Sequence, residues 1–539
     1  MARCQHFGLK VPARGDDNAA REVIALKVLQ FIGAMALFCA LVPVAHVHAA
    51  PKKPTPAATM APMPPRTPDA VTQHTIVLEG KTVSYTARAG TITLRNQDHQ
   101  PTLRMFYVAY TENGADSQTR PVTFLYNGGP GSSSMWLQMG SWGPVRVVVG
   151  DGTITGPPPY RIVKNAYSLL DTTDLVFIDM PDSGFGRIVG AGTPKLFFGV
   201  DQDVNAFGQF IERYLNAFGR WNSPKFLYGE SYGTTRSAAL VNHLQRMGIG
   251  VNGVVLQSSI LNFGLDFTNA SPIGGDDWPY AFYLPSEAAT AWYHNALPNR
   301  PAHLRPFVKQ VVSFATGEYL NALAQGAQIA PALANDVVAK IHEYTGLPAQ
   351  YIRNNNLRVP YWRLESELLR SQGVDVGRLD SRFQTPSVDR ADNSPRWDPT
   401  DAAIDYPYTT AINQYLREDL HYHTSLLYRT QVYGIIQKDG GWDNKHDGNP
   451  TTDVAPDLAA AMSYDPKLQI FSANGYYDFA TPFTATVYTL EHLNIKPSLL
   501  GNITYGFYKS GHMIYLAPHA LEHYHDDLER WYAATLAGH

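Results

Sequence analysis

The feature that most constrains the fold is a serine placed between two glycines where an apolar segment ends. Residues 229–233 read Gly-Glu-Ser-Tyr-Gly; the apolar run 225–228 precedes them and a helix-like stretch, 234–247, follows. Glycines at this spacing allow a strand to turn sharply into a helix, because they carry no Cβ. Such a turn lifts the Ser231 hydroxyl out of the sheet and lets the next backbone N–H face an oxyanion. Standing alone, the motif would fit an ordinary Gly/Ser turn equally well.

A second glycine-rich loop follows another apolar run. Residues 122–126 read Val-Thr-Phe-Leu-Tyr and lead into Asn-Gly-Gly-Pro-Gly at 127–131. A strand that runs into consecutive glycines leaves several backbone N–H groups unshielded. In serine hydrolases of this construction, that loop supplies the other half of the oxyanion hole.

An acid and a histidine complete the pattern near the other end of the chain. The strand-like run 468–471 leads to Asp478, and the run 503–508 leads to His512. Serine is a weak nucleophile until an imidazole removes its proton, and the imidazole needs a carboxylate to fix its tautomer. The chain order Ser, Asp, His predicts an α/β-hydrolase fold with a mostly parallel central sheet.

Four segments together resemble the serine carboxypeptidase family. They are Asn-Gly-Gly-Pro-Gly at 127–131, Gly-Glu-Ser-Tyr at 229–232, Gly-His-Met at 511–513, and a strand ending in Asp-x-Pro and Gly-Phe within 174–185. The likeness covers roughly residues 100–260 and 460–535. The resemblance implies a peptidase that removes C-terminal residues through an acyl-enzyme.

The resemblance also implies the catalytic roles. Ser231 is the nucleophile, His512 is the general base and Asp478 orients the histidine. The backbone amides of Gly129 and Tyr232 form the oxyanion hole.

A further group of residues is expected to hold the C-terminal carboxylate of the substrate. By the resemblance these are Asn127, the amide of Gly128, and Glu230. Where the family has a second glutamate that pairs with the elbow glutamate, this chain has Ser141. A serine hydroxyl is shorter, so we expect Ser141 to assist Glu230 through water and to give weaker selection of free-acid peptides.

The N-terminal region predicts export. Residues 28–45 are nearly all apolar and follow a basic stretch, so residues 1–49 are expected to be a cleaved signal peptide, with a membrane anchor as the alternative. Both cysteines, Cys4 and Cys39, lie in this segment. A mature chain without cysteine fits a bacterial exported member of the family, in the periplasm or outside the cell. Residues 50–70 are rich in Pro and Ala and predict a linker.

The remaining chain predicts a core in two parts with an inserted, mainly helical cap. The assigned ranges are 71–262 for the first part of the core, 263–440 for the cap and 441–539 for the second part. Alternating apolar residues over 72–95 and 102–110 predict an antiparallel β leader at the sheet edge. A helix is expected over 203–218, with Asp203 as its cap.

Other function classes make different demands on the sequence. A metal hydrolase would use the histidines at 421, 423, 523 and 525, but no His-Glu-x-x-His motif is present. A binding protein on this fold would be expected to lack a triad member. An esterase or acyltransferase would keep the same triad, and the serine at position 141 favours this alternative.

We expect no metal, no cofactor and peptide substrates. A net charge of -4 without a basic stripe argues against nucleic acid. No stable membrane association is expected after signal cleavage, and the oligomeric state stays open.

Overall fold

The computed structural model describes residues 63, 65–267 and 275–538. The predicted signal peptide, both cysteines and most of the predicted linker lie outside these residues. None of the helices within the described ranges is both long enough and apolar enough to cross a membrane.

Fourteen strands are present in the described residues. They are β1 (Ala70–Leu78), β2 (Lys81–Arg95), β3 (Pro101–Glu112), β4 (Val122–Tyr126), β5 (Val145–Val147), β6 (Ile162–Lys164), β7 (Asp174–Ile178), β8 (Arg187–Ile188), β9 (Lys225–Glu230), β10 (Gly253–Gln257), β11 (Val374–Val376), β12 (Gln384–Pro386), β13 (Gln469–Gly475) and β14 (Ile503–Tyr508).

Ten of these strands form the central sheet. Its order is β1-β2-β3-β7-β4-β9-β10-β13-β14, with β8 pairing to β3. Six neighbouring strands of this order pair in parallel: β7, β4, β9, β10, β13 and β14. Strands β1, β2 and β3 are antiparallel and form the predicted leader at one edge. Every residue of β4, β7 and β10 is buried, because helices cover both faces of a parallel sheet. The predicted α/β-hydrolase fold with a mostly parallel sheet is confirmed.

The described residues contain fourteen α-helical segments. They are α1 (Met135–Leu137), α2 (Val200–Phe218), α3 (Tyr232–Arg246), α4 (Trp278–Tyr293), α5 (Leu304–Phe314), α6 (Leu320–Leu323), α7 (Pro331–Thr345), α8 (Ala349–Asn354), α9 (Tyr361–Glu367), α10 (Pro399–Glu418), α11 (Tyr433–Lys438), α12 (Ala455–Tyr464), α13 (Phe483–Glu491) and α14 (Pro518–Ala537).

Two apolar layers enclose the sheet. Helices α2, α3 and α12 pack on one face, and α1, α10 and α14 pack on the other. Helix α2 packs on the sheet through an apolar side. Its residues Phe207 and Ile211 lie one turn apart on that side, and both are buried. The helix ends where Gly219 takes a left-handed conformation with φ of 65°.

The segment between β10 and β13 is mainly helical, with a small hairpin of β11 and β12. Residues of α4, α5 and α7 share an apolar cluster of their own, which includes Leu284, Phe307 and Ile341. Helix α10 differs, because its Tyr408 packs on Trp136 with ring centroids 4.9 Å apart and joins the layer on the sheet. The predicted division at residues 263 and 440 stays a prediction.

Candidate active site

Ser231 stands at a strained turn between β9 and α3. Its backbone has φ of 61° and ψ of -130°, a conformation that non-glycine residues rarely adopt. A Cβ on Gly229 would collide with the backbone of Gly233, so the two glycines are required for this turn. The amide of Thr234 donates to the Ser231 carbonyl at 2.8 Å and starts the helix. The strand, sharp turn and helix predicted from the sequence are all present.

The glycine loop after β4 lies directly against this turn. A Cβ on Gly128 would collide with the backbone nitrogen of Tyr232, which shows how closely the two backbones approach. The Tyr232 N–H is the first of helix α3, and the first N–H groups of a helix have no partner within it. Gly129, Ser231 and Tyr232 line the same cavity. The two predicted oxyanion-hole amides are therefore close to the predicted nucleophile.

Asp478 and His512 form a buried hydrogen-bonded pair. The Nδ1 of His512 lies 2.9 Å from Oδ2 of Asp478. The other carboxylate oxygen accepts from the amides of Ala480 and Thr481 at 2.7 and 3.0 Å. Burial disfavours the charged imidazole, but the attraction and hydrogen bond of Asp478 outweigh it, so the pKa of His512 lies above its usual 6.5. Loops after two neighbouring strands thus bring together the acid and base that the sequence predicts.

The Glu230 side chain is buried beside the nucleophile. Its Oε1 accepts from Nδ2 of Asn127 at 2.7 Å, and its Oε2 accepts from Nε2 of Gln257 at 2.8 Å. Burial raises the pKa of Glu230 to about 7, and the attraction of His512 and the hydrogen bond from Asn127 offset only part of that effect. A carboxyl group at this position is neutral in mildly acidic solution and can then donate a hydrogen bond.

Ser141 does not join this group. It is fully buried in the π-helical turn Gln138–Trp142, and its hydroxyl donates to the Leu137 carbonyl at 2.7 Å. The turn directs the hydroxyl back against its own helix, so it is not among the residues that line the cavity. Nearby Gln138 is also engaged, since its Nε2 donates to the Tyr110 hydroxyl at 2.9 Å. No direct hydrogen bond joins Ser141 to Glu230, and the expected contact through water stays a prediction.

Most of the other predicted residues line a cavity of about 560 Å³. Those that line it are Asn127, Gly128, Gly129, Glu230, Ser231, Tyr232 and His512. Asp478 lies behind His512, fully buried. A larger cavity of about 1040 Å³ lies among the helices of the 263–440 segment, but it contains none of the predicted site residues.

Several residues of the site were not predicted from the sequence. The Thr481 hydroxyl donates to Asp478 at 2.8 Å and lies 3.1 Å from Nδ1 of His512, so it supports the pair. A threonine three residues after an aspartate often hydrogen-bonds to it, so this spacing in the sequence could have indicated the contact. Gln257, at the end of β10, also contacts the His512 carbonyl at 3.3 Å. The cavity also contains Arg378, which no motif indicates.

Two groups of side chains away from the cavity are close enough to share a cation in the described residues. One joins Asp171, His525 and Glu529, and the other joins His446 with two aspartates. The two aspartates of the second group are Asp447 and Asp457. His446 lies 2.6 Å from Asp457 and, outside this group, also 2.6 Å from Asp201, so carboxylates flank both of its ring nitrogens. Neither group contacts the predicted nucleophile.

The sequence was also compared with known proteins. Residues 79–257 match the serine carboxypeptidase family model. This stretch contains the glycine loop and the serine turn, so the resemblance predicted from the motifs is confirmed there. The matched range ends before Asp478 and His512. The fold places His512 on the same cavity as Ser231, with Asp478 behind it.

Individual relatives match over shorter ranges. Pheromone-processing carboxypeptidase KEX1 of Saccharomyces cerevisiae is 33% identical over 156 residues, which are 27% of this chain. The matching part spans 20% of that relative's length. Proline iminopeptidase from Mycobacterium smegmatis is 14% identical with a TM-score of 0.36, over 83% of this chain and 99% of that one. A putative aryl esterase from Burkholderia cenocepacia is 12% identical with a TM-score of 0.32, over 83% and 99%.

Proposed function

We propose that the protein is a serine carboxypeptidase that removes C-terminal residues from peptides. The observation that carries the proposal is the cavity in which Ser231 and His512 lie beside Glu230 and Asn127. A nucleophile and base alone define a hydrolase. A buried acid with a raised pKa next to them adds a means of recognising a carboxylate.

The chemistry follows from the positions of these groups. His512 removes the proton of the Ser231 hydroxyl as its oxygen attacks the scissile carbonyl. The amides of Gly129 and Tyr232 hold the resulting oxyanion. The C–N bond then breaks, His512 gives its proton to the leaving amine, and an acyl-enzyme remains. Water attacks the ester with His512 again acting as base, which releases the shortened peptide and restores Ser231.

A mixed pool of linear peptides tests this function. We expect mass spectrometry to show ladders shortened one residue at a time from the C-terminus, because the reacting carbonyl lies next to the carboxylate site. Peptides cyclised through the backbone have no C-terminus and serve as the control. Internal cleavage of these cyclic peptides, or shortening from the N-terminus, would contradict the proposal.

Glu230 should give free-acid peptides an alkaline limb in their pH profile. Its pKa of about 7 is raised, so the neutral, hydrogen-donating form persists to about pH 7 and is lost above it. The ionised form repels the substrate carboxylate, and we expect kcat/KM for these peptides to fall about tenfold or more between pH 6.5 and 8.5.

Ester substrates without a carboxylate provide the comparison for this prediction. They should lack the alkaline limb, and Glu230→Gln should remove it for free-acid peptides. An unchanged profile in Glu230→Gln would exclude Glu230 from carboxylate recognition.

The second candidate function is an esterase or acyltransferase with the same triad. It is favoured by the position of Ser141, which leaves Glu230 without the second acid expected at a carboxylate site. This candidate predicts that simple esters are cleaved and that free-acid peptides are not shortened. Transfer of the acyl group to an added alcohol would separate acyltransferase from esterase.

We place the enzyme outside the cytoplasm, as a bacterial exported protein without cysteine in its mature form. The support is the basic and then apolar sequence of residues 1–49, which contains both cysteines. Intact-mass analysis of exported protein should give a chain that begins near residue 50.

A further inference from the structure

The cavity contains one strong cation whose chemistry the triad does not use. Arg378 is the only arginine or lysine among the described residues that line it. Its Nε lies 3.2 Å from the Tyr361 hydroxyl, and its side chain is exposed to the cavity. Among the described residues, the guanidinium makes this one hydrogen bond and forms no ion pair with a carboxylate. Residues 268–274, which are not described, contain no acid.

Backbone contacts fix Arg378 beside the catalytic histidine and its acid. The carbonyl of Arg378 accepts from the amide of Phe479, the residue after Asp478, at 3.0 Å. The next carbonyl, of Leu379, accepts from the amide of His512 at 2.6 Å. The two amides of Arg378 and Leu379 donate to Asp398 at 3.0 and 2.9 Å. Arg378 is therefore held on the side of the cavity where His512 lies.

The leaving residue must occupy the same side. His512 gives its proton to the leaving amine, so the nitrogen of the residue being removed lies next to the imidazole. The α-carboxylate of that residue is two bonds away from this nitrogen, and an acidic side chain is only slightly farther. A guanidinium whose Nη groups have no acceptor among the described residues matches a carboxylate by two parallel hydrogen bonds.

Two of the three acids that line the cavity with Arg378 have raised pKa values. The cavity also contains Glu230, Asp266 and Asp401. Burial, together with the neighbouring carboxylates Asp398 and Asp405, raises the pKa of Asp401 to about 7, so Asp401 is neutral in mildly acidic solution. Glu230 is neutral over the same range, and Ser141 is turned away. In mildly acidic solution Glu230 and Asp401 therefore add no negative charge to the cavity, and Arg378 supplies its positive charge.

We propose that Arg378 binds a carboxylate of the leaving residue and so performs the task that a second glutamate would otherwise share with Glu230. The inference rests on the proposed carboxypeptidase function and names its substrate class: peptides whose last residue carries a negative charge in reach of Arg378. That charge belongs either to the α-carboxylate or to an Asp or Glu side chain, and the experiment separates the two.

The test compares Arg378→Gln with wild type on three peptides of identical N-terminal part. They end in a leucine free acid, a leucine amide and a glutamate amide. If Arg378 binds the α-carboxylate, the preference for the free acid over the leucine amide should fall about 10- to 100-fold. If it binds the side chain, the preference for the glutamate amide over the leucine amide should fall by that factor instead. The loss should lie mainly in KM, because the contact is made before the transition state.

Two control variants make the result specific. Arg378→Lys keeps the charge and should retain part of the preference. Arg396→Gln removes an exposed arginine outside the cavity and should leave all three rates unchanged. The inference is overturned if both preferences in Arg378→Gln stay within about twofold of wild type, since a bidentate contact is worth more. If wild type is labelled at Ser231 by a fluorophosphonate but cleaves none of the three peptides, the carboxypeptidase function itself has failed.

Discussion

Replacing Ser231 with alanine should lower turnover by about 10⁴- to 10⁶-fold, because the members of a triad act as one unit. The structure gives Ser231 a strained backbone at the start of α3, with Gly129, Tyr232 and His512 on the same cavity. His512→Ala should cost a similar factor. The double variant should be little worse than either single variant, since each removes the same reaction path. Steady-state hydrolysis of a peptide or ester measures all three.

Covalent labelling provides an independent check of this result. A fluorophosphonate should add once, to the peptide that contains Ser231, and Ser231→Ala should take up none. Ser371→Ala, an exposed serine away from the cavity, is the matched control and should keep both labelling and turnover. Turnover retained in Ser231→Ala, or inhibition by a chelator without any serine labelling, would refute the mechanism.

The elements that the sequence predicts well are those with a local cause. The turn at Ser231 follows from glycines whose Cβ atoms would collide, and this requirement is visible in five consecutive residues. The parallel strands were predictable because burial on both faces demands continuous apolar runs, as in β4 and β7. The antiparallel leader was predictable from alternation along β2.

The contacts that the sequence does not predict are those between distant segments. Arg378 enters the cavity only because its backbone pairs with the loops of Asp478 and His512, and no spacing in the chain encodes that pairing. Ser141 stands where the resemblance implies a glutamate, and a π-helical turn directs its hydroxyl to Leu137. Position in a motif therefore did not determine the direction of that side chain.

The role of Asp203 also depends on a contact with a distant segment. The prediction that it caps a helix was wrong. Helix α2 begins at Val200 with Gly199 as its cap, so Asp203 lies inside the helix. Its Oδ2 instead accepts from Nε of Arg236 in α3 at 2.6 Å, and both side chains are completely buried. A buried charge needs such a partner, because burial alone is very unfavourable for it.

This pair connects α2, on one face of the sheet, to the glycine loop after β4. The Nη1 of Arg236 donates to the Asn127 carbonyl at 2.9 Å, at the start of the glycine loop. The guanidinium carbon also lies 4.1 Å from the ring centre of Phe207 and 5.1 Å from that of Tyr126. Arg236 thus links α2, α3 and the end of β4 by one charged group.

Arg236→Met should lower the free energy of unfolding by about 3–5 kcal/mol, since it leaves the buried Asp203 carboxyl group without its partner. It should also lower kcat, because the Asn127 carbonyl loses the donor that fixes the glycine loop. Urea unfolding followed by tryptophan fluorescence measures the first effect, and ester hydrolysis below the transition measures the second.

The double variant Arg236→Met/Asp203→Leu distinguishes a lost ion pair from lost packing. It removes both charges, and we expect it to recover most of the stability because replacing a whole buried pair with apolar residues is often close to neutral. The hydrogen bond to Asn127 is still absent, so kcat should stay low while stability returns. Lys340→Met breaks an exposed pair with Glu343 and should cost only about 0–1 kcal/mol. A double variant as unstable as Arg236→Met would assign the effect to packing around Phe207 and Tyr126. Recovery of stability and kcat together would show that the Asn127 contact does not position the glycine loop.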